Sequence, residues 1–232
     1  MKTVLLYLLQ VIISSGILYG YYHLFLRNKK FHQYNRYYLL MTMVISICIP
    51  FLRIPVYFDA AETEPMFSKT LTVFSYGNFE EDIIAGTVSP GSGWFSWRNI
   101  LSFLYVVMAA FLFTRFCVAL IRIVRLANIY PGEKIDNIRF INTNEPATPF
   151  SFFRWLFWNS KIELNSDNGQ QIFRHELFHI RQKHSWDTIF MEIITILFWL
   201  NPFFHLLKKE IRAIHEFLAD KFAVEENKEW YY

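Results

Sequence analysis

The sequence predicts a mainly α-helical integral membrane protein. It is expected to have three transmembrane helices, a small β-sheet and a re-entrant helical hairpin, arranged around a cytoplasm-facing metal site. Three observations predict this. Apolar residues make up 53% of the 232 residues and aromatics 19%, and they come in long blocks. His175-Glu176-Leu177-Phe178-His179 puts two imidazoles four residues apart, on one face of a helix. Asn201-Pro202 breaks the last apolar stretch.

The apolar blocks come first along the chain. Val4 to Leu26 is apolar except for Gln10, Ser14, Ser15 and His23. Tyr38 to Leu52 is interrupted by Thr42 and Ser46, and Ile100 to Ile121 carries a single charge, Arg115. Each approaches the ~20 residues that cross a bilayer, the second being short. The expected spans are therefore residues 4–26, 38–52 and 100–121, within a membrane domain 1–122. Tyr19, Tyr21, Tyr22, Tyr37, Tyr38, Trp94 and Trp97 cluster at the block ends, where interfacial aromatics belong. The alternative for the first block is a cleaved signal peptide, but the run is long for one and no A-x-A-like site follows. Cys48 and Cys117 lie inside apolar blocks and read as small buried residues rather than a disulfide.

Charge sets the orientation. The loop after the first block holds Arg27, Lys29, Lys30 and Arg36 and no acid, whereas residues 53–98 are rich in Asp and Glu. Arg122 and Arg125 follow the third block. The positive-inside rule then places the N-terminus and the 53–98 loop outside, and everything after Ile121 in the cytoplasm. The 53–98 loop shows no chemistry and reads as a connector, with Thr70 to Tyr76 a candidate strand.

A cytoplasm-facing domain, 123–232, follows. The third helix is expected to run on through Arg122 and Arg125 until Pro131-Gly132 stops it. Ile135 to Ile141, Ser151 to Trp158 and Lys161 to Leu164 read as three short strands. Ser166-Asp167-Asn168-Gly169 is a turn signal, after which the motif helix is expected to start and to continue past His184. Lys208 to Glu226 has helical periodicity, with Ile211, Ile214, Leu218 and Phe222 on one side.

Two histidines at this spacing are zinc ligands in one known arrangement, and the adjacent Glu176 carboxylate can take a proton from water. A catalytic zinc needs a third protein ligand. A helix from Asp187 to Leu200 would be only ~21 Å long, too short to cross comfortably. A membrane-dipping hairpin over 187–207 fits better, and its return leg carries Arg212, Glu216 and Asp220 on one stripe. Glu216 is then the expected third ligand. Asp220 can hold the second nitrogen of a zinc-bound histidine, and Arg212 can pair with a carboxylate or stabilise an oxyanion. The plainer reading of that stripe is a solvated helix face. His184 and His215 are expected at interfacial or solvent-facing positions, with substrate binding as the alternative. Glu192 is either a functional group inside an apolar helix or a solvated one near the membrane surface.

Pro149-Phe150-Ser151-Phe152-Phe153, the run from His175 to Asp187, Asn201-Pro202 and Glu216-Phe217-Leu218-Ala219-Asp220 together resemble the BlaR/MecR-type antirepressor membrane metallopeptidases. The Glu-x-x-Ala-Asp ending is similar to the wider gluzincin group. The resemblance covers most of the chain and is most specific in its second half. It implies a zinc endopeptidase in the bacterial inner membrane that cleaves a cytoplasmic transcriptional repressor, or the receptor itself, after an extracellular signal. By the match, His175, His179 and Glu216 are zinc ligands, Glu176 is the catalytic acid/base and Asp220 supports the ligands. Relatives carry a further span and a sensor after the metal site. The sequence stops at Trp230-Tyr231-Tyr232, read either as a fragment of a longer protein, the aromatic run being the start of an interrupted segment, or as a chain that lacks that part, so no sensor is inferred.

The expected function is thus zinc-dependent peptide hydrolysis, with the lipid bilayer and a protein substrate as partners and no direct nucleic-acid contact. The sheet edge near Ser151 to Trp158 is the expected place for a substrate strand. The rival readings are a non-catalytic signalling module and a housekeeping membrane protease.

Overall fold

A computed structural model describes residues 2–27, 29, 31–52, 97–135 and 137–224. Most of the 53–98 loop, with its candidate strand Thr70 to Tyr76 and Trp94, lies outside the described residues. Lys30 and the aromatic end 230–232 lie outside them too.

The fold is mainly helical. Helix α1, Lys2–Tyr21, is extended by a π-helical turn, Tyr22–Leu26. Helix α2 is His32–Cys48, followed by a single 3₁₀ turn, Ile49–Phe51. Helix α3, Trp97–Ile129, is 33 residues long and crosses position 122 without a break. Its end just before Pro131 agrees with the sequence reading. Among the described residues, two helical stretches are long and apolar enough to cross a membrane, Val4–Leu26 and Asn99–Ile129. With 17 residues, α2 falls short of a full crossing. Its buried residues include Asn35, Arg36, Thr42 and Ser46, so its polar side is packed inside the protein.

The sheet differs from the expectation in two ways. It has four strands: β1 Gly132–Ile135, β2 Ile138–Thr143, β3 Phe150–Phe152 and β4 Trp155–Asn159, in the order β1-β2-β4-β3. The run Ile135 to Ile141 is split between β1 and β2, and the run Ser151 to Trp158 between β3 and β4, with Phe153 and Arg154 in the turn. Ile135 pairs with Ile138, so β1 and β2 form a tight antiparallel hairpin. Lys161 to Leu164 is not a strand. Its backbone is already spent on turns, with Ile162 N–H donating to Asn159 and Ser166 N–H to Glu163. β2 and β4 pair in parallel, and β3 closes one edge antiparallel to β4. Ile141 and Phe157 are fully buried with Ala127 from the end of α3, which fixes the sheet to that helix.

The C-terminal half is three helices: α4 Asp167–Arg181, α5 His184–Leu197 and α6 Pro202–Val224. Helix α4 begins inside the Ser166–Gly169 turn, because the Ser166 hydroxyl caps it by accepting from Gly169 N–H at 3.1 Å. It does not continue past His184. Lys183 sits at φ 56°, a left-handed conformation that cannot extend a helix, and a new helix starts at the next residue.

The chain reverses between α5 and α6, where the sequence has Asn201-Pro202. Pro202 opens α6, where it has no N–H to satisfy. The Asn201 side chain caps the helix by accepting from Phe203 N–H at 3.0 Å. The buried Asn201 amide also donates to Ser15 Oγ of α1 at 3.0 Å, tying the reversal to the first helix. Two rungs show the antiparallel register. Asp187 meets His215 at 3.0 Å, and Glu192 meets Lys208 at 2.6 Å and Arg212 at 3.0 Å. The main core lies where this hairpin packs on α1 and α2, through Val11, Tyr22, Leu39, Met43, Met191, Phe204, Leu207, Ile211 and Ile214.

Candidate metal centre

Helix α4 supplies the two motif histidines one turn apart, and α6 packs beside it and supplies two carboxylates. His175 Nε2 and His179 Nε2 are 3.1 Å apart. Glu216 Oε2 lies 3.5 Å from His175 Nε2, and Oε1 lies 3.9 Å from His179 Nε2. The three side chains thus bring one donor atom each within 4.8 Å of one another. The helix reversal makes this possible, since it returns Glu216 to a point 37–41 residues downstream of the histidines in sequence but beside them in space.

The arrangement fits a divalent ion. Zinc–ligand bonds of ~2.0–2.1 Å in a tetrahedron separate ligand atoms by about 3.3 Å, close to the spacings found here. The second ring nitrogens of both histidines are engaged elsewhere. His175 Nδ1 lies 2.9 Å from Asp220 Oδ1, and His179 Nδ1 lies 2.7 Å from His184 Nδ1. With each Nδ1 occupied, both Nε2 atoms are directed at the same point, which is the tautomeric arrangement a metal-binding histidine pair needs. Burial holds the His179 imidazole neutral, its pKa lowered to about 4 by desolvation and then by the neighbouring histidines. A neutral ring is the form that ligates.

Glu176 is not one of the converging donors, is only 9% exposed, and lies close enough to His175 and Glu216 to feel their charge. Ser151 of β3 hydrogen-bonds to its carboxyl through both hydroxyl and backbone. Its pKa is raised, chiefly by desolvation and further by the Glu216 charge, against the lowering effects of Ser151 and His175. A buried carboxyl with a raised pKa beside a metal-type site is suited to moving protons.

These observations place the chain beside a known family. Residues 159–231 match the family model described as BlaR1 peptidase M56. The match agrees with the resemblance drawn from the motifs. M56 proteins are metallopeptidases, and the matched segment begins at the end of β4 and contains His175, Glu176, His179, Glu216 and Asp220. It covers less than half of the chain, leaving Ser151 and the first three helices outside. No curated protein matches the chain.

The remaining candidates fall in distinct places around the site. Arg212 donates to Glu192 at 3.0 Å, completing an ion cluster with Lys208 between α5 and α6. Glu192 is thus neither isolated in an apolar environment nor simply solvated. His184 and His215 are both about 3% exposed, which corrects the expectation of interfacial or solvent-facing rings. Their rings stack at 3.8 Å and 8°. Sequence reasoning missed Arg36 and Ser151 as site-supporting groups. Arg36 reads as one of several cytoplasmic charges, yet it is buried and bonded to Asp187 at 2.6 Å. Ser151 had one signal, its place inside the Pro149-to-Phe153 run that the resemblance uses.

Proposed function

We propose that this chain is a membrane-embedded zinc metalloendopeptidase that acts in transmembrane signalling on a cytoplasmic protein or on itself. The observation that carries the reading is the convergence of His175 Nε2, His179 Nε2 and a Glu216 oxygen beside a buried Glu176. His175, His179 and Glu216 would hold zinc, and the ion, when bound, supplies Lewis-acid activation of a water molecule. Glu176 accepts a proton in the first half of the reaction and delivers it to the leaving amine in the second. Its raised pKa favours the return step. Ser151 keeps the carboxyl in one orientation, and Asp220 does the same for the His175 ring. Arg212 has no role in this reading, because its partner is Glu192. A substrate added as a strand to β3, at the sheet edge, would pair beside Ser151, the hydrogen-bond partner of Glu176.

The membrane arrangement belongs to the same proposal. Helix α1 and α3 span the bilayer, α2 with its flanking turns makes a third, shorter pass, and the α5–α6 hairpin dips into the membrane from the cytoplasmic side. The N-terminus lies outside. Support comes from the charge asymmetry, the apolar exposed surface of α3, and the hairpin's contacts with α1. The substrate class that the M56 likeness suggests is a cytoplasmic repressor.

The test uses the full chain in proteoliposomes with an unstructured protein substrate and with its own chain as reporter. Hydrolysis is expected, with one zinc per chain. Chelation abolishes it and added zinc restores it. Glu216→Ala loses both metal and activity. Hydrolysis that persists after the metal is removed, or equal zinc content in Glu216→Ala and wild type, rules the reading out.

A further inference from the structure

The His179 ring is held from behind by a chain of contacts that ends on a different part of the protein. Its Nδ1 meets His184 Nδ1 at 2.7 Å. His184 is stacked flat on His215. His215 Nε2 lies 3.0 Å from Asp187 Oδ2, and the same oxygen accepts from Arg36 Nε at 2.6 Å. Arg36 belongs to α2, far before the motif in sequence and 146 residues before Gln182.

Arg36 also grips the end of the motif helix directly. Its NH2 donates to the Gln182 carbonyl at 2.8 Å, and its NH1 reaches the Gln182 side-chain oxygen at 3.5 Å. Gln182 is the C-cap of α4, three residues after His179 and next to the left-handed Lys183. One guanidinium thus secures both the end of the helix that carries the ligands and the carboxylate that orients His215. Its side chain is only 6% exposed, so the charge is held in place by these partners and not by water.

From this we infer that Arg36 is a positioning residue for His179, acting through Asp187, His215 and His184, and that the geometry of the metal centre depends on where α2 sits. The inference rests on the proposed zinc site. When His179 ligates through Nε2, its Nδ1 carries the proton and donates it to His184, so the His184 ring must stay where it is for the ligand to keep its orientation. The plane of His184 is set by its flat stack on His215, with an edge contact from Phe178 beside it. Its Nε2 is buried and has no hydrogen-bond partner among the described residues. The ring therefore depends on His215, and His215 depends on the Asp187–Arg36 pair. The opposite end of α2 leads, through Ile49–Phe51, into residues 53–96. A shift of α2 would be transmitted to His179 without any change in the ligands themselves.

The experiment measures zinc affinity by chelator competition and the visible absorption of the cobalt-substituted full chain in nanodiscs. Arg36→Met is expected to weaken zinc binding by ~10–100-fold and to change the cobalt spectrum, while Arg36→Lys recovers part of the affinity. Lys208→Met, which breaks an equally short ion pair with Glu192, leaves affinity and spectrum at wild-type values. In a His184→Phe background, Arg36→Met costs less further affinity than it does in wild type, because the histidine route is already cut and only the grip on Gln182 is left to lose. Asp187→Asn, a near-isosteric change, gives the same loss and serves if Arg36→Met does not fold. Wild-type affinity in Arg36→Met or in Asp187→Asn overturns the inference, as does a full additive loss in the double variant. A wild-type chain that takes up no zinc overturns both this inference and the proposed function.

Discussion

Glu176→Gln separates catalysis from folding at this site. The side chain is almost fully buried and bonded to Ser151, and glutamine has the same shape. Its amide can keep a contact to the Ser151 hydroxyl, and its carbonyl can still accept from the backbone. The charge is what disappears. Burial raises the Glu176 pKa above its unfolded value, so the folded state holds the proton more tightly than the unfolded state between those two values. Stability therefore falls as pH rises through that interval, and above it the ionised carboxyl is a cost to the fold. Glutamine removes that cost, so the melting temperature is expected to hold or rise. Activity moves the other way. Loss of a general acid/base group is worth ~10²–10⁴ in rate, or about 2.7–5.5 kcal/mol of transition-state stabilisation. Zinc content stays at one per chain, because Glu176 is not among the converging donors. The assay pairs substrate hydrolysis in proteoliposomes with thermal unfolding and metal analysis on one preparation. Wild-type hydrolysis by the variant would refute the catalytic role. Loss of activity together with zinc and melting temperature would show that Glu176 is a structural residue.

Three further outcomes are expected. Asn201→Ala removes a helix cap and a buried hydrogen bond to Ser15, and should cost about 2 kcal/mol in unfolding experiments in detergent, where an unchanged melting temperature would dispute the role of the reversal. Asp220→Ala should leave the fold intact but weaken zinc binding ~10–100-fold by freeing His175 Nδ1, as read by chelator competition. The metal-free protein should lose stability on acidification from about pH 6.5 to about 4. His179 has its pKa lowered to about 4 in the fold, so over that window the unfolded chain takes up a proton that the folded chain refuses. In the Glu176→Gln background, which removes the opposing titration of that carboxyl, a melting temperature that is flat or rises as the pH falls through that window would contradict the burial of this ring.

The sequence carried the chemistry more clearly than the framework. The spacing of His175 and His179 follows directly from helical geometry, and a proline can be read as a helix stop without knowing what surrounds it. For that reason the motif, the Asn201-Pro202 reversal and the stripe bearing Glu216 and Asp220 were legible. The break at Lys183 was not, since a lysine with φ 56° gives no glycine or proline signal and its backbone is held there by hydrogen bonds to Ile180 and from Trp186. The strand reading of Lys161 to Leu164 failed because alternation over four residues cannot compete with local turn hydrogen bonds. Arg212 illustrates a different limit. Its place on the stripe is visible in the sequence, but its choice of Glu192 depends on the register of α5 against α6.

By itself, then, the sequence determined that two imidazoles and a neighbouring carboxylate share one helix, that the chain is apolar enough to live in a membrane, and that the last apolar stretch must bend. Local covalent and helical geometry suffice for each of these. Only the tertiary structure decided which distant groups hold those side chains in place. The burial of His184 and His215, the bond from Ser151 to Glu176 and the reach of Arg36 from α2 all join residues tens to well over a hundred positions apart. No periodicity encodes such contacts. They exist because a buried charge or ring nitrogen must find a partner, and the partner available is set by how the helices pack.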